Sequence, residues 1–274
     1  MSIVAISYGA CDTRDNIAAT VAEVLGYERI GREVLELASK TFGIPEGKLS
    51  RAIRFTPSFF GMSIKIRDRY IAYILAAAAE FMTRDNIVYH GPAAHVIGQG
   101  ISHVLRVRII SSLESRIAFA MQRDNITREA AETIVANEEK ERQKWVKQAF
   151  GFDDSEPALY DLVIDATEKS SEEAMDIIVD TLRNKRFQPM TYSMQCASNI
   201  ELSTRVKAHL IDVDPGVRVR AEDGHVFVDT TIHSKAKDKH SQTIRERIQS
   251  LPGVKKIEIN ITEDLFKRIA GTMR

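Results

Sequence analysis

Nine consecutive residues, Tyr8-Gly9-Ala10-Cys11-Asp12-Thr13-Arg14-Asp15-Asn16, hold side chains from which phosphate chemistry could be built. Before them Ser2 to Ser7 reads as an apolar strand, and after them an amphipathic helix runs to Leu25-Gly26. In that strand–loop–helix frame, backbone N–H groups at the helix start can cradle phosphates. Glycines normally fill such a loop because the chain must approach closely and adopt φ > 0, and a lysine brings charge. Here there is one glycine, no Gly-Lys-Ser/Thr ending, and two aspartates that would face a polyanion. Asp12 reads either as a metal ligand or as the cap of the helix that follows. Thr13 reads as a hydroxyl on Mg²⁺ or phosphate, or again as a cap. Arg14 could replace the missing cation, since a guanidinium binds phosphate through two hydrogen bonds, or could pair with Asp15.

Further basic residues sit at spacings that invite the same chemistry. Arg116 and Arg123 are seven apart on one predicted helix, hence on one face. On a long charged helix, Lys140, Lys144 and Lys147 share a side while Arg142 points elsewhere. Such a helix could close over a ligand and exclude water, or could be a solvated surface that Glu138, Glu139 and Glu141 neutralise. Arg67 and Arg69 flank Asp68 and could line a phosphate site or an exposed face. His90 and His95 flank Gly91-Pro92 at the end of a predicted strand, where open α/β sheets bind ligands. They read as a general base or as hydrogen-bonded structural residues.

The 274 residues are 44% hydrophobic, enough for one or two packed domains. Lys plus Arg and Asp plus Glu are equal at 38 each, so no global field recruits nucleic acid or an anionic membrane. Cys11 and Cys196 match no disulfide or metal-ligand spacing, which suits a reducing cytosol. The start, Met1-Ser2-Ile3-Val4, does not read as a signal peptide, and a cytoplasmic protein is expected. The longest apolar run, Ile71 to Phe81, is interrupted by Glu80 and reads as a buried helix.

The elements that must hold these residues alternate. Helices are expected at 32–42 and 63–83, strands at 87–90 and 104–110, and a helix at 113–123. Thr127 should cap an exposed, arm-like helix over 128–149. A strand follows at 162–165, then a helix with a Ser170/Glu173 capping box. This pattern implies a parallel sheet covered on both faces. Residues 185–199 show no periodicity and read as a flexible linker. Beyond them, a short helix (200–210), a hairpin turning at Asp223-Gly224, a helix (235–249) and a strand (254–261) give an αββαβ order.

Residues 1–184 resemble the cytidylate kinase-like family of P-loop nucleotide kinases. The resemblance rests on Ile3-Val4-Ala5-Ile6-Ser7, Ala22-Glu23-Val24-Leu25-Gly26, Arg32-Glu33-Val34-Leu35, the strand into Gly91, Leu105-Arg106-Val107, Arg116-Ile117, Lys140-Glu141-Arg142, and Leu159 to Asp165. It implies a three-layer α/β/α fold and phosphate transfer from ATP, with Mg²⁺, to a nucleoside monophosphate under an arginine-bearing lid. Carried onto this sequence, it assigns Arg116, Lys140 and Arg142 to catalysis and Cys11, Asp12, Thr13, Arg14 and Asp15 to the cofactor. Arg32, Arg67, Arg69 and Gly91 are the candidate substrate-binding residues. Three family features depart together: the loop glycines are gone, Gly31 stands where an aspartate is usual, and Pro92 stands where an arginine is usual.

Residues 200–264 resemble the BON family through the αββαβ order, Asp223 to Val228 and Leu251 to Ile257, with Thr230 in place of a usual glycine. That resemblance implies contact with phospholipid or protein, which the cluster Lys235, Lys237, Lys239 and His240 would favour if the surface were acidic. The expectation is a degenerate nucleotide kinase homologue that binds a nucleotide or phosphorylated small molecule and acts through its second domain, with a homo-oligomer in view and no nucleic-acid partner. The competing expectation is a working nucleoside monophosphate kinase in which Arg14, Arg116, Lys140 and Arg142 compensate for the altered loop.

Overall fold

In the computed structural model, which describes residues 2–8, 15–54, 62–91, 94–151, 153–232 and 237–263, the apolar runs near the N-terminus become one parallel sheet. Its strands are β1 (Ile3–Tyr8), β2 (Glu28–Ile30), β3 (Ile87–His90), β4 (Val104–Ile110) and β5 (Leu162–Asp165). They lie in the order β2-β3-β1-β4-β5. Central parallel strands are covered on both faces and therefore need unbroken apolar runs. Ile3, Val4, Ala5 and Ile6 of β1 are fully buried accordingly.

Alternation of side chains along each strand divides the core in two. Val4, Ile6, Leu105, Val107 and Ile109 pack under α1 (Asp15–Leu25) and α8 (Ser171–Leu182). Ile3, Ala5, Ile87 and Tyr89 pack under α2 (Glu33–Phe42), α3 (Glu46–Arg54) and α4 (Ile64–Phe81). Burying an isoleucine contributes about 1.5–3 kcal/mol, so these two layers hold the sheet. The 63–83 helix is present, and it carries buried residues on most of its circumference. No described helix is long and apolar enough to cross a membrane.

After β3, α5 (Ala94–Ile97) leads to β4, and α6 (Leu113–Asp124) and α7 (Arg128–Phe150) lead to β5. Thr127 caps α7 by accepting from the Ala130 N–H. The expected exposed arm is corrected: Ala131 and Val135 pack on α6, and Trp145 and Val146 enter the main core. The Trp145 indole N–H donates to the Ala52 carbonyl at 3.0 Å, pinning the end of α7 to α3. A helix with low average hydrophobicity still docks if a few apolar residues recur on one side.

The expected linker is also corrected. Lys185–Phe187 form a 3-10 turn whose Phe187 is buried, and Thr191–Leu210 is one continuous helix, α9, rather than a short one from 200. Ser2 donates to the Phe187 carbonyl at 2.7 Å, and Ser193 meets His103 at 2.9 Å, so this segment is fastened to the parallel sheet.

The far end of α9 carries β6 (Arg218–Glu222), β7 (His225–Ile232), α10 (Lys237–Ile248) and β8 (Lys256–Glu263). β6 and β7 are antiparallel, and β7 and β8 are parallel. Asp223 and Gly224 have φ of 51° and 86°, the two successive positive values that a tight hairpin turn demands. The αββαβ order is therefore present. Leu202, Val206, Val226, Val228, Ile244 and Ile248 form its separate core.

Candidate functional site

The strand order reverses at β1. The chain leaves β1 for the β3 side and later crosses to β4 on the other, and open α/β sheets bind ligands beyond the strand ends at such a point. Tyr8 closes β1 there, and Asp15 opens α1. Cys11, Asp12, Thr13 and Arg14 lie outside the described residues.

A cluster of buried charge lies against the end of β1. Leu105, Val107 and Ile109 of β4 face one core, so alternation turns Arg108 to the opposite face. Arg108 is opposite Ser7 in the ladder, and its Nη1 donates to the Tyr8 carbonyl at 3.0 Å. Its guanidinium also pairs with Asp154 at 3.6 Å and lies 5.9 Å from the Tyr160 ring centre. Arg142, from α7, pairs with the same Asp154 and with Glu139 at 2.6 Å. Arg116, from α6, pairs with Glu139 at 3.1 Å. The Tyr160 hydroxyl donates to the Asp154 backbone carbonyl at 2.7 Å, which holds the acidic segment in place.

Three guanidiniums thus share two carboxylates, with Arg108 7% and Asp154 1% exposed. Burial, and after it the neighbouring Arg108 charge, press the Arg142 guanidinium below its ordinary pKa, against the pull of Glu139. Among the described residues, Nε of Arg116, Nε of Arg142 and Oδ1 of Asp154 are buried without a hydrogen-bond partner. Buried donors left unmade cost about 1–3 kcal/mol each, which an arriving acceptor would recover, whereas the unpartnered Asp154 Oδ1 would oppose an anion. A phosphate chain, rich in acceptor oxygens, fits these donors. Among the described residues no three His, Cys, Asp or Glu side chains come together as a metal site.

Two of the three expected catalytic residues, Arg116 and Arg142, are brought together, while Lys140 is exposed on α7. Arg108 and Asp154 were not foreseen, and Glu139, read as neutralising a solvated surface, instead pairs with Arg116 and Arg142. The signal was present in β4, where arginines at 106 and 108 share one face of a strand next to β1. Arg106 has a different role: it binds both oxygens of Asp161, at 2.9 and 3.2 Å, and so joins β4 to the entry of β5.

A cavity of about 370 Å³ opens on the far side of β1, at the ends of β2 and β3. Val34, Leu35, Ile53 and Ile74 give it apolar walls, and Gly31, Arg32, Ser50, Tyr89 and His90 complete the lining. A Cβ on Gly31 would meet the His90 ring at 2.6 Å, so the imidazole occupies the space that a side chain at 31 would need. The Gly31 N–H donates to Glu33 at 2.7 Å. Burial acts to raise the Glu33 carboxyl, but that hydrogen bond, its own N–H and the nearby His90 charge bring it below the usual carboxylate value. Burial holds the Tyr89 phenol protonated.

The expected substrate residues divide. Arg32 lines the cavity and pairs with Glu46 at 3.0 Å. Gly91 follows β3, where a Cβ would meet the Tyr89 hydroxyl at 3.1 Å. Arg67 is buried on α4, 3.4 Å from Asp68. Arg69 turns to the C-terminal unit and pairs with Asp212 at 3.0 Å. Neither Arg67 nor Arg69 lines the cavity.

The model of the cytidylate kinase-like family matches residues 3–168. An uncharacterized protein from Eubacterium ventriosum ATCC 27560 superposes with a TM-score of 0.52 at 14% identity, covering 68% of this chain and 100% of that chain, a likeness of fold alone. Shikimate kinase from Acinetobacter baumannii in complex with shikimate matches with a TM-score of 0.44 at 11% identity, over 69% of this chain and 96% of that chain. A gluconokinase from Sinorhizobium meliloti 1021 gives 0.41 at 13% identity, over 68% and 93%. None of the curated proteins matches the chain significantly.

Proposed function

The chain belongs to the cytidylate kinase-like family, and from that premise we propose that it is a degenerate kinase homologue: a protein that binds a nucleotide or other phosphorylated ligand beside the end of β1 and transfers little or no phosphate. The observation that carries this reading is the cluster of Arg108, Arg116 and Arg142, whose buried Nε donors at 116 and 142 lack partners among the described residues. Phosphoryl transfer asks the protein mainly for cations and N–H groups aimed at phosphate oxygens. The arginines supply anion affinity. The changes at Gly31 and Pro92 and the loss of loop glycines remove donors and ligands that transfer itself requires, so binding outlasts turnover.

If ATP and Mg²⁺ are the ligands, Arg116 and Arg142 would hold phosphate oxygens, and Arg108 would supply positive charge beside Tyr8 at the end of β1. The competing reading is an active ATP-dependent nucleoside monophosphate kinase. The 370 Å³ cavity beside Arg32 and His90 favours it, since it is large enough to hold a small acceptor. For the rest of the chain we divide residues 1–184 from a BON-like module at 200–264, which would contact protein or phospholipid in the cytoplasm. Its support is the αββαβ order and the Asp223-Gly224 turn.

Titration calorimetry with ATP·Mg²⁺ and with pyrophosphate, run beside an assay for diphosphate formation from a panel of nucleoside monophosphates, separates the readings. Binding that weakens at least about tenfold in Arg142→Ala, without turnover, is expected. Turnover that Arg116→Ala abolishes would establish the active kinase instead. No heat with either ligand sinks both. Liposome flotation of the full chain tests the phospholipid arm of the module, and protein that stays with the soluble fraction removes it.

A further inference from the structure

β8 is paired along its whole length with β7, from His225–Lys256 to Ile232–Glu263, and among the described residues no strand pairs with its other edge. A long unpaired edge is a template for another strand, and proteins usually break it with proline or a bulge. β8 has no proline, and its register with β7 is continuous. Which backbone groups face outward follows from one contact. Nη1 of Arg245 on α10 donates to the Ile257 carbonyl at 3.3 Å, so that carbonyl points away from β7. Backbone direction alternates with the pleat, which turns the N–H and C=O of Ile259 and Ile261 to the same free edge.

We propose that this edge pairs antiparallel with β8 of a second copy of the chain, about a two-fold axis through Ile259. The sequence Lys255-Lys256-Ile257-Glu258-Ile259-Asn260-Ile261-Thr262-Glu263 is self-complementary about that residue. On the half-buried face Ile259 meets the partner's Ile259, and Ile257 meets the partner's Ile261. On the exposed face Lys256 stands opposite the partner's Thr262, and Glu258 opposite the partner's Asn260. The outward-facing residues Ile257, Ile259 and Ile261 are then the ones that exchange hydrogen bonds, with the exposed Arg245 giving up its contact to the Ile257 carbonyl.

The neighbouring registers that keep the faces aligned are worse. Centring on Glu258 opposes two glutamates and sets Lys255 against an isoleucine. Centring on Asn260 sets Ile257 against Glu263. Like charges directly opposite destabilise a pair, so the Ile259 register is selected. The two sheets become one, by the strand addition that recurs in peptide recognition. An isologous contact of this kind closes on itself and produces a dimer rather than a fibre.

Sedimentation or light scattering of the full-length chain over a concentration series up to about 100 µM reads the association directly. The wild-type chain is expected to form a reversible dimer. Thr262→Lys puts lysine opposite the partner's Lys256 at both ends of the contact and should weaken the dimer about tenfold. Both residues are exposed, so the fold is undisturbed. Lys256→Glu combined with Thr262→Lys sets opposite charges face to face and should restore association. Ile259→Pro, whose lost N–H faces outward, should dissociate the dimer and leave the circular dichroism spectrum unchanged. A monomer throughout the series, a dimer indifferent to Thr262→Lys, or a double variant that stays as weak as Thr262→Lys overturns the proposal.

Discussion

Gly31 and His90 occupy one space: a Cβ on the glycine would lie 2.6 Å from Nε2 and 2.9 Å from Cε1 of the imidazole. They follow and end adjacent strands, where Ile30 is opposite Tyr89 in the ladder. The family resemblance places an aspartate at position 31. With His90 as it stands, a side chain at position 31 has to displace the imidazole.

Restoring the aspartate alone should therefore harm the protein. Gly31→Asp is expected to cost about 1–3 kcal/mol through overpacking, part of it spared if the imidazole rotates away. His90→Ala removes the obstacle, and in the double variant most of the loss should disappear. Urea unfolding of wild type, both single variants and the double gives the coupling. Strictly additive effects would mean that the two side chains do not compete.

The shared carboxylate of Asp154 predicts opposite effects on stability and on ligand binding. Asp154→Asn leaves Arg108 and Arg142 buried with a neutral neighbour, which should destabilise the fold by about 3 kcal/mol. The same change frees two guanidiniums for an incoming anion. Pyrophosphate should then raise the melting temperature of the variant more than that of the wild type, because stabilisation by a ligand follows its affinity for the native state. Equal shifts would separate the cluster from anion binding.

The layout of the strands was legible because central parallel strands cannot hide their composition. Ile3 to Ile6 is an apolar run and Val104 to Ile110 one broken only by Arg106 and Arg108, and they are most of β1 and all of β4. The αββαβ order was legible for a similar reason: alternation on both sides of Asp223-Gly224 leaves little choice of turn. α9 was not. Its early buried positions are Ser193 and Ala197, while Met190, Tyr192 and Met194 are exposed, so apolar periodicity points the wrong way or nowhere. A serine bonded to His103 fastens the helix, and such a contact leaves no hydrophobic signature. β2 has three residues, too few to alternate visibly. At the site, Arg116 and Arg142 could be named in advance, because the family resemblance includes them. Arg108 could not, since its role depends on the register that sets it opposite Ser7.

Acid should weaken the fold in part through Asp161. Burial acts to raise its carboxyl, but the hydrogen bonds and charge of Arg106, with Arg186 beyond, bring it below the usual aspartate value. A depressed native pKa means that the ionised form stabilises the fold above the unfolded pKa of about 4. That contribution is lost as pH falls from there through the lowered native value. Asp161→Asn lacks the titration, so the stability gap between wild type and variant should be level above about pH 5 and shrink below pH 4. Denaturant midpoints along a pH series measure the gap. A gap that does not change with pH would rule out this origin.

The contact between α4 and α9 fixes how the C-terminal unit sits on the sheet, and it mixes two kinds of interaction. Asp212 accepts from Arg69 at 3.0 Å and from the Tyr73 hydroxyl at 3.4 Å, with its side chain 44% exposed. Beneath it Phe42 stacks on Tyr73 at 4.0 Å with the rings 4° from parallel, and His209 of α9 closes on Phe42 at 5.7 Å. Half-exposed ion pairs are worth about 0–1 kcal/mol, whereas truncating a buried aromatic costs about 3–5. Asp212→Ala should therefore leave docking nearly intact, and its small effect should fade in high salt. Tyr73→Ala removes the ring that backs Phe42 of α2, on which His209 of α9 rests, and should loosen α9 through that chain of rings. Limited proteolysis between residues 184 and 200 reads that loosening. Faster cleavage in Asp212→Ala than in Tyr73→Ala would show that charge, not ring packing, holds the two units together.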